Sequence, residues 1–112
     1  MAKIEQLNEI IKHTLAEIII GEIESPNFLI TISRVGCSPD LSLAKVFISV
    51  LPENFSGTAL KKLRSKSSLL NKILKNKANL VRSPRLQWFI DEDLKKFSEI
   101  EETLEKIKAE KY

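Results

Sequence analysis

The spacing of apolar residues predicts a helix over the first part of the chain. From residue 3 to residue 20, apolar side chains recur every three or four positions, and charged side chains fill most of the positions between them. The predicted buried stripe consists of Ile4, Leu7, Ile11, Thr14, Leu15, Ile18 and Ile19. Gly21 is a typical residue just after a helix end. Ser25-Pro26 prevents continuation, because the residue before proline disfavours the helical conformation.

The apolar spacing then changes to the alternation that is typical of β-strands. Residues 28–35 and 43–51 are rich in β-branched side chains and predict two strands. In the first strand, alternation places Phe28, Ile30 and Ile32 on one face and Leu29, Thr31, Ser33 and Val35 on the other. In the second, it places Ala44, Val46, Ile48 and Val50 on one face and Lys45, Phe47 and Ser49 on the other. Residues 36–40, GCSPD, are turn-forming, so we expect an antiparallel hairpin.

A second helical region follows the loop at residues 52–57, with Ser56 or Thr58 as its predicted N-cap. Its apolar stripe consists of Leu60 and Leu63, and then of Leu70, Ile73 and Leu74. The two halves are separated by a serine-rich step, Lys66-Ser67-Ser68. Serine hydroxyls compete for backbone hydrogen bonds, so the sequence predicts a kink or a short break there.

The last two predicted elements are a strand at residues 85–90 and a helix near the end of the chain. In the strand, Leu86, Trp88 and Ile90 share a face, which predicts that Trp88 lies in the core. Ser98 and Glu101 have the spacing of a capping box, and the helix stripe after it is Phe97, Ile100, Leu104 and Ile107. The order predicts an α+β domain with helices on one face of a small sheet. We expect residues 3–95 to form this domain, with residues 96–112 as a helix docked on it or free.

Composition excludes several classes of protein. The 112 residues, 43% hydrophobic and 29% charged, are typical of one globular domain. No apolar run approaches the roughly 20 residues that span a bilayer, so we expect no membrane segment. Cys37 and His13 are the only residues of their types, which predicts an inert thiol, no disulfide and no metal site or cofactor. The N-terminus has neither a secretion signal nor an Arg- and Ser-rich leader, so we expect a cytoplasmic protein.

Charge is distributed unevenly along the chain. Residues 61–85 carry nine positive charges and no acidic residue, whereas the other 87 residues carry nine positive and 15 negative charges. The nine are Lys61, Lys62, Arg64, Lys66, Lys72, Lys75, Lys77, Arg82 and Arg85. Clustered cations without counter-charges suit a polyanionic partner. A solvated helix face is an equally good explanation on charge alone.

Three segments carry a family resemblance. They are EIESPNFLITISRV at residues 22–35, SPDLSLAKVFISV at residues 38–50 and RSPRLQWFIDE at residues 82–92. The chain resembles the bacterial ribosome-binding factor A family over these segments, and the similarity extends from about Ile4 to Ile107. The resemblance implies a type II KH-like fold and a non-catalytic, monomeric factor that binds the free 30S ribosomal subunit and its 16S rRNA. It also implies a role in late subunit maturation, rRNA processing and growth in the cold, with no small-molecule substrate.

The resemblance also assigns roles to residues. It implies that the nine cations of residues 61–85 form a continuous surface that contacts RNA phosphates. The step Lys66-Ser67-Ser68 matches the Ala-x-Gly kink of the family, with lysine and serine in place of alanine and glycine. Arg34 and Lys45 lie on predicted strands, where we weigh accessory RNA contacts against a solvated position and favour the latter.

Three alternatives complete the sequence-based predictions. Phe47 and Phe89 could stack on bases, as aromatic residues of RNA-binding sheets do, but we favour packing against the ends of neighbouring helices. The carboxylates Asp91-Glu92-Asp93 raise the possibility of a nuclease. We disfavour it because metal-dependent catalysis needs carboxylates that converge from separate elements. A protein-docking adaptor that uses the predicted helix stripe at residues 97–107 is the alternative to RNA binding.

Overall fold

The computed structural model describes residues 3–92. In chain order the elements are α1 (Lys3–Glu22), β1 (Leu29–Cys37), β2 (Leu43–Leu51), a short 3-10 helix (Glu53–Phe55), α2 (Ser56–Ser65), α3 (Ser67–Lys77) and β3 (Arg85–Ile90). This order confirms the α+β arrangement predicted up to the third strand. The predicted helix at residues 96–112, and the docking role weighed for it, lie outside the described residues.

The three strands form one sheet with β2 in the centre. β1 pairs with β2 in the antiparallel direction, and β3 pairs with β2 in the parallel direction. The helices cover one face of this sheet, and the core lies between them. From β2 the core receives Ala44, Val46, Ile48 and Val50, as predicted; from the helices it receives Ile11, Leu15, Ile18, Ile19, Leu63, Leu70 and Leu74.

A bulge in β1 changes the alternation that the sequence predicts. Ile32 pairs with Ile48 of β2, but Val35 rather than Arg34 takes the next inward position, opposite Val46. An extra residue in one strand shifts every later side chain to the other face. The prediction that Val35 faces away from Ile32 is therefore wrong: the two are 8% and 7% exposed, on the same buried face.

Two predicted ends of elements are also wrong. Helix α1 does not stop at Gly21 but includes Glu22, and the next amide, Ile23, still donates to the Ile19 carbonyl at 3.0 Å. Strand β1 continues through Gly36 to Cys37, which the sequence places in the turn. The Cys37 amide donates to Asn8 Oδ1 of α1 at 2.9 Å, so a helix side chain supports the end of this strand. Burial raises the pKa of the Cys37 thiol.

The helical pair contains the predicted break. Lys66 separates α2 from α3, with φ −102° and ψ 7°, and Ser67 begins the next helix. The predicted side-chain cap of α2 is wrong, because Phe55 occupies the N-cap position and no side-chain oxygen caps the helix. The 3-10 turn leads directly into α2 instead. Phe55 stacks on Phe28 with ring centroids 5.3 Å apart, which fixes this end of the helix against the domain.

Trp88 lies in the core, as the sequence predicts. Its side chain is 2% exposed, and its Nε1–H donates to Ser67 Oγ at 3.2 Å. The single tryptophan therefore joins β3 to the start of α3.

None of the three α-helices in residues 3–92 combines the length and the apolar content that a bilayer crossing requires.

Candidate nucleic-acid interface

A cleft lies where α2, α3 and β3 meet. Its volume is about 550 Å³, and it is lined by Arg64, Ser67, Ser68, Asn71 and residues 85–89. Arg64 Nη2 donates to the Trp88 carbonyl at 3.3 Å, so an arginine from α2 reaches across to the backbone of β3. Arg85 is exposed at the start of the strand. The break between the two helices thus borders a cleft with arginines from two elements.

The segment before β3 is fastened to α3. Asn71 Nδ2 donates to the Pro84 carbonyl at 2.8 Å, and Ser83 Oγ donates to Asn71 Oδ1. Pro84 is buried, whereas Arg82 and Arg85 beside it are exposed. One helix amide therefore holds the loop that presents both arginines. Our sequence analysis missed Asn71; its signal is an uncharged amide, one of two with Asn76, among the lysines of the helix.

Three of the predicted cations face α1. Lys62 Nζ donates to the Glu24 carbonyl at 2.5 Å, and Lys66 Nζ donates to the Glu22 carbonyl at 2.8 Å. Lys77 Nζ lies 3.8 Å from Glu17 Oε2. Lys62 and Lys66 thus contact carbonyls at and just beyond the end of α1, where backbone acceptors lack helical partners. The nine cations are therefore not equivalent, because these three, like Arg64, already contact their own protein.

The remaining cations of residues 61–85 project towards solvent. Apart from Arg64, which donates to the Trp88 carbonyl in the cleft, these are Lys61, Lys72, Lys75, Arg82 and Arg85, which are exposed and form no ion pair with any residue in the range 3–92. They come from both helices and from the loop before β3. Since no carboxylate of the described chain holds them, they can contact phosphates without breaking an internal ion pair.

The two strand cations lie on the sheet face that is opposite to the helices. We call this face, which carries Leu29, Thr31, Arg34, Lys45, Phe47, Ser49, Leu51, Arg85, Gln87 and Phe89, the open sheet face. Lys45 is exposed. The guanidinium of Arg34 lies 4.2 Å from the ring centroid of Phe47. Phe47 in turn stacks on Phe89, with centroids 5.6 Å apart. The two rings pack on each other, on the sheet face opposite to α1, α2 and α3.

The acidic cluster after β3 is tied to the sheet. Asp91 is buried, its Oδ2 accepts a hydrogen bond from Ser33 Oγ at 2.6 Å, and Arg34 Nε lies 3.9 Å from the same oxygen. Asp93 lies outside the described residues. Within residues 3–92 no three His, Cys, Asp or Glu side chains come together as a metal site. Asp91 joins the end of β3 to the bulge of β1 across the central strand.

The comparisons with known proteins agree with this architecture. A family model described as ribosome-binding factor A matches residues 3–104. The chain belongs to the ribosome-binding factor A family. It is 32% identical over 111 residues to the ribosome-binding factor A of Malacoplasma penetrans, covering 96% of this chain and 93% of that protein. It is 31% identical over 110 residues to that of Protochlamydia amoebophila, covering 96% and 84%.

Solved structures of the family share the fold. The crystal structure of Thermus thermophilus ribosome-binding factor A has a TM-score of 0.71 and 28% identity, covering 80% of this chain and 97% of that one. A homology model of the Thermus factor, fitted into the cryo-EM map of its complex with 30S, has a TM-score of 0.65 at 28% identity, covering 80% and 93%. These similarities confirm the KH-like fold that the family resemblance implies.

Proposed function

We propose that this member of the ribosome-binding factor A family binds the free 30S ribosomal subunit through its ribosomal RNA. It assists late subunit maturation and rRNA processing as a non-catalytic monomer. Residues 3–95 serve as the RNA-binding domain, with residues 96–112 as part of it or docked on it. The observation that carries the proposal is the group of five exposed cations, Lys61, Lys72, Lys75, Arg82 and Arg85, which come from α2, α3, the loop before β3 and the start of β3. Arg85 also lines the cleft, together with Arg64. The Thermus relative that was fitted as a 30S complex supports the choice of partner.

The mechanism is electrostatic positioning on folded RNA. Phosphate contacts supply most of the affinity of such surfaces and do not by themselves read sequence. Lys72 and Lys75 on α3 and Lys61 on α2 would each contact backbone phosphates. Arg64 and Arg85 would hold RNA at the cleft. If about four to six phosphates are neutralised, log affinity should fall with log salt at a slope of roughly −3 to −5.

Cosedimentation tests the proposal. The purified protein is mixed with free 30S subunits, with a 30S precursor and with assembled ribosomes, at increasing salt concentration. We expect it to pellet with the free subunit and the precursor at low salt and to be released as salt rises. Pelleting that is insensitive to salt would contradict the electrostatic mechanism. Equal pelleting with assembled ribosomes would contradict a role in maturation.

A further inference from the structure

The open sheet face carries a three-residue stack at its centre. Arg34, Phe47 and Phe89 lie side by side, because Arg34 pairs with Phe47 across β1 and β2, and Phe47 with Phe89 across β2 and β3. The two rings are inclined by 27°, and the Arg34 guanidinium sits over the first ring. Phe89 remains 38% exposed. An aromatic ring is thus presented to solvent on a rigid strand.

The charges around this stack favour an anionic partner. Lys45 and Arg85 are exposed on the same face, and Arg34 is 57% exposed at its side chain. Asp91, whose Oδ2 lies 3.9 Å from Arg34 Nε, is only 8% exposed and accepts a hydrogen bond from Ser33. A ligand for this face therefore needs a flat apolar group for Phe89 and negative charges for the cations beside it.

The stack is continuous with the cleft. Arg85, Gln87 and Phe89 belong to the open sheet face and also line the cleft, so one surface leads over the edge of β3 to the other. Addition of a peptide strand to this edge is less suitable, because the Trp88 carbonyl already accepts a hydrogen bond from Arg64. A chain that leaves the cleft over β3 would meet Arg85, Gln87 and Phe89.

We infer that the open sheet face is a stacking site for unpaired nucleobases of a single RNA strand. Phe89 stacks on a base, Arg34 and Phe47 hold Phe89 in place, and Lys45 and Arg85 contact the neighbouring phosphates. Every base offers a π-face, so such stacking tolerates many sequences. The inference rests on the proposed function, since it names the form of RNA that one part of the surface takes.

The test compares two short oligoribonucleotides with the same number of phosphates, one with uracil at every position and one with abasic sites in the middle. Wild-type protein should bind the uracil strand more tightly. Phe89→Ala should weaken this binding by roughly 5- to 150-fold, the usual range for the loss of one stacked base. The factor should be the same at every salt concentration, because the substitution removes no charge. Phe89→Tyr should retain the affinity.

The control variant is Leu51→Ala, which removes a side chain that is 62% exposed on the same face, away from the stack. It should bind both strands as wild type does. Circular dichroism of Phe89→Ala, together with its unchanged affinity for the abasic strand, would exclude misfolding as the cause of a loss. Equal binding of the two strands by wild type, or wild-type affinity in Phe89→Ala, would overturn the inference.

The alternative to RNA is that another part of the same chain occupies this face. Hydroxyl-radical labelling of Phe89 in the full chain separates the two cases. We expect labelling in the free protein and protection by the uracil strand, whereas protection without RNA would overturn the inference. If the protein still pellets with 30S but binds the two oligonucleotides equally, only the stacking site is contradicted. If the protein prefers the uracil strand but does not pellet with 30S, only the proposed function is contradicted.

Discussion

Trp88 and Asp40 show how single side chains depend on their polar partners. The indole of Trp88 is buried, and its N–H reaches Ser67 Oγ at the first residue of α3. A buried donor that loses its acceptor costs more than the bond itself contributes, because its hydration is not recovered. In the β1–β2 turn, the exposed carboxylate of Asp40 instead accepts several hydrogen bonds, from Ser38 and Ser42.

The Trp88–Ser67 bond gives a prediction for stability. Ser67→Ala should lower the free energy of unfolding by about 1–3 kcal/mol, since the indole N–H is left without an acceptor in the core. Urea unfolding followed by the fluorescence of the single tryptophan measures the change. The matched control is the exposed neighbour Ser68, whose change to alanine should alter stability by less than about 0.5 kcal/mol. Equal effects of the two substitutions would contradict the role of the bond.

Asp40 gives a prediction for pH. Hydrogen bonds from Ser38 and Ser42 to its carboxylate lower the pKa of Asp40 from 3.8 to about 2. Because folding lowers this pKa, the ionised group stabilises the turn above pH 3.8, and that contribution is lost as the pH falls towards 2. The difference in urea midpoint between wild type and Asp40→Asn should therefore be constant near neutral pH and shrink in this acidic window.

A second measurement isolates the cause of the shift. In an NMR titration, Ser38→Ala should return the pKa of Asp40 part of the way towards 3.8, since Ser38 makes the largest contribution. A difference between wild type and Asp40→Asn that persists unchanged to the lowest pH would show that the charge of this carboxylate is not what stabilises the turn.

At the scale of elements, the helical pair and α1 stabilise each other at one point. Lys62 and Lys66, from α2 and the break, donate to the Glu24 and Glu22 carbonyls. Lys62 also lies 5.5 Å from the ring centroid of Phe28, just before β1. Cations at a helix C-terminus are favourable because the last carbonyls carry partial negative charge. Lys62 and Lys66 therefore supply hydrogen-bond donors at the C-terminal end of α1, where the last carbonyls lack helical partners.

This arrangement predicts a structural role for two residues that the sequence assigns to RNA. Lys62→Met and Lys66→Met should each reduce stability by about 0.3–1 kcal/mol, the usual range for a charge at a helix end. Hydrogen exchange of the Ile23 amide, which closes the last turn of α1, should become faster. The controls Lys61→Met and Lys72→Met change the same residue type at exposed positions and should leave this amide unaffected. Equal exchange in all four variants would contradict the capping role.

At the scale of the whole molecule, packing places the cations of one segment in different surroundings. Residues 61–85 contribute nine cations. Lys62, Lys66 and Lys77 face α1, Arg64 lies in the cleft, and the others project into solvent. Affinity for a polyanion and its salt dependence should follow the solvent-facing group.

A salt titration tests this separation. The triple variant Lys61→Gln, Lys72→Gln, Lys75→Gln should bind 30S more weakly, with a log–log salt slope smaller in magnitude by about three, because each substitution leaves one phosphate without its cation. Lys3→Gln, on α1 outside the cationic segment, should leave the slope unchanged. A triple variant with the wild-type slope would place the RNA on another surface.

Much of the fold follows from local patterns in the sequence. The period of three to four over residues 3–20 predicts α1, and the alternation in β2 predicts its buried face. The serines around Lys66 predict the break between α2 and α3. These features depend on residues within a few positions of one another, so a local pattern is enough to determine them. The concentration of cations in residues 61–85 is likewise a property of the sequence alone.

The candidate site depends on long-range packing that no local pattern records. The hydrogen bonds of Lys62 and Lys66 to Glu24 and Glu22, at and just beyond the end of α1, join residues 38 and 44 positions apart. The hydrogen bond of Ser33 to Asp91 spans 58 positions. The bulge in β1 decides that Arg34 lies beside Phe47. The sequence by itself determined which elements form and how much charge they carry. Only the tertiary structure decided which cations contact the protein and which face solvent, because those partners are brought together by packing of distant segments.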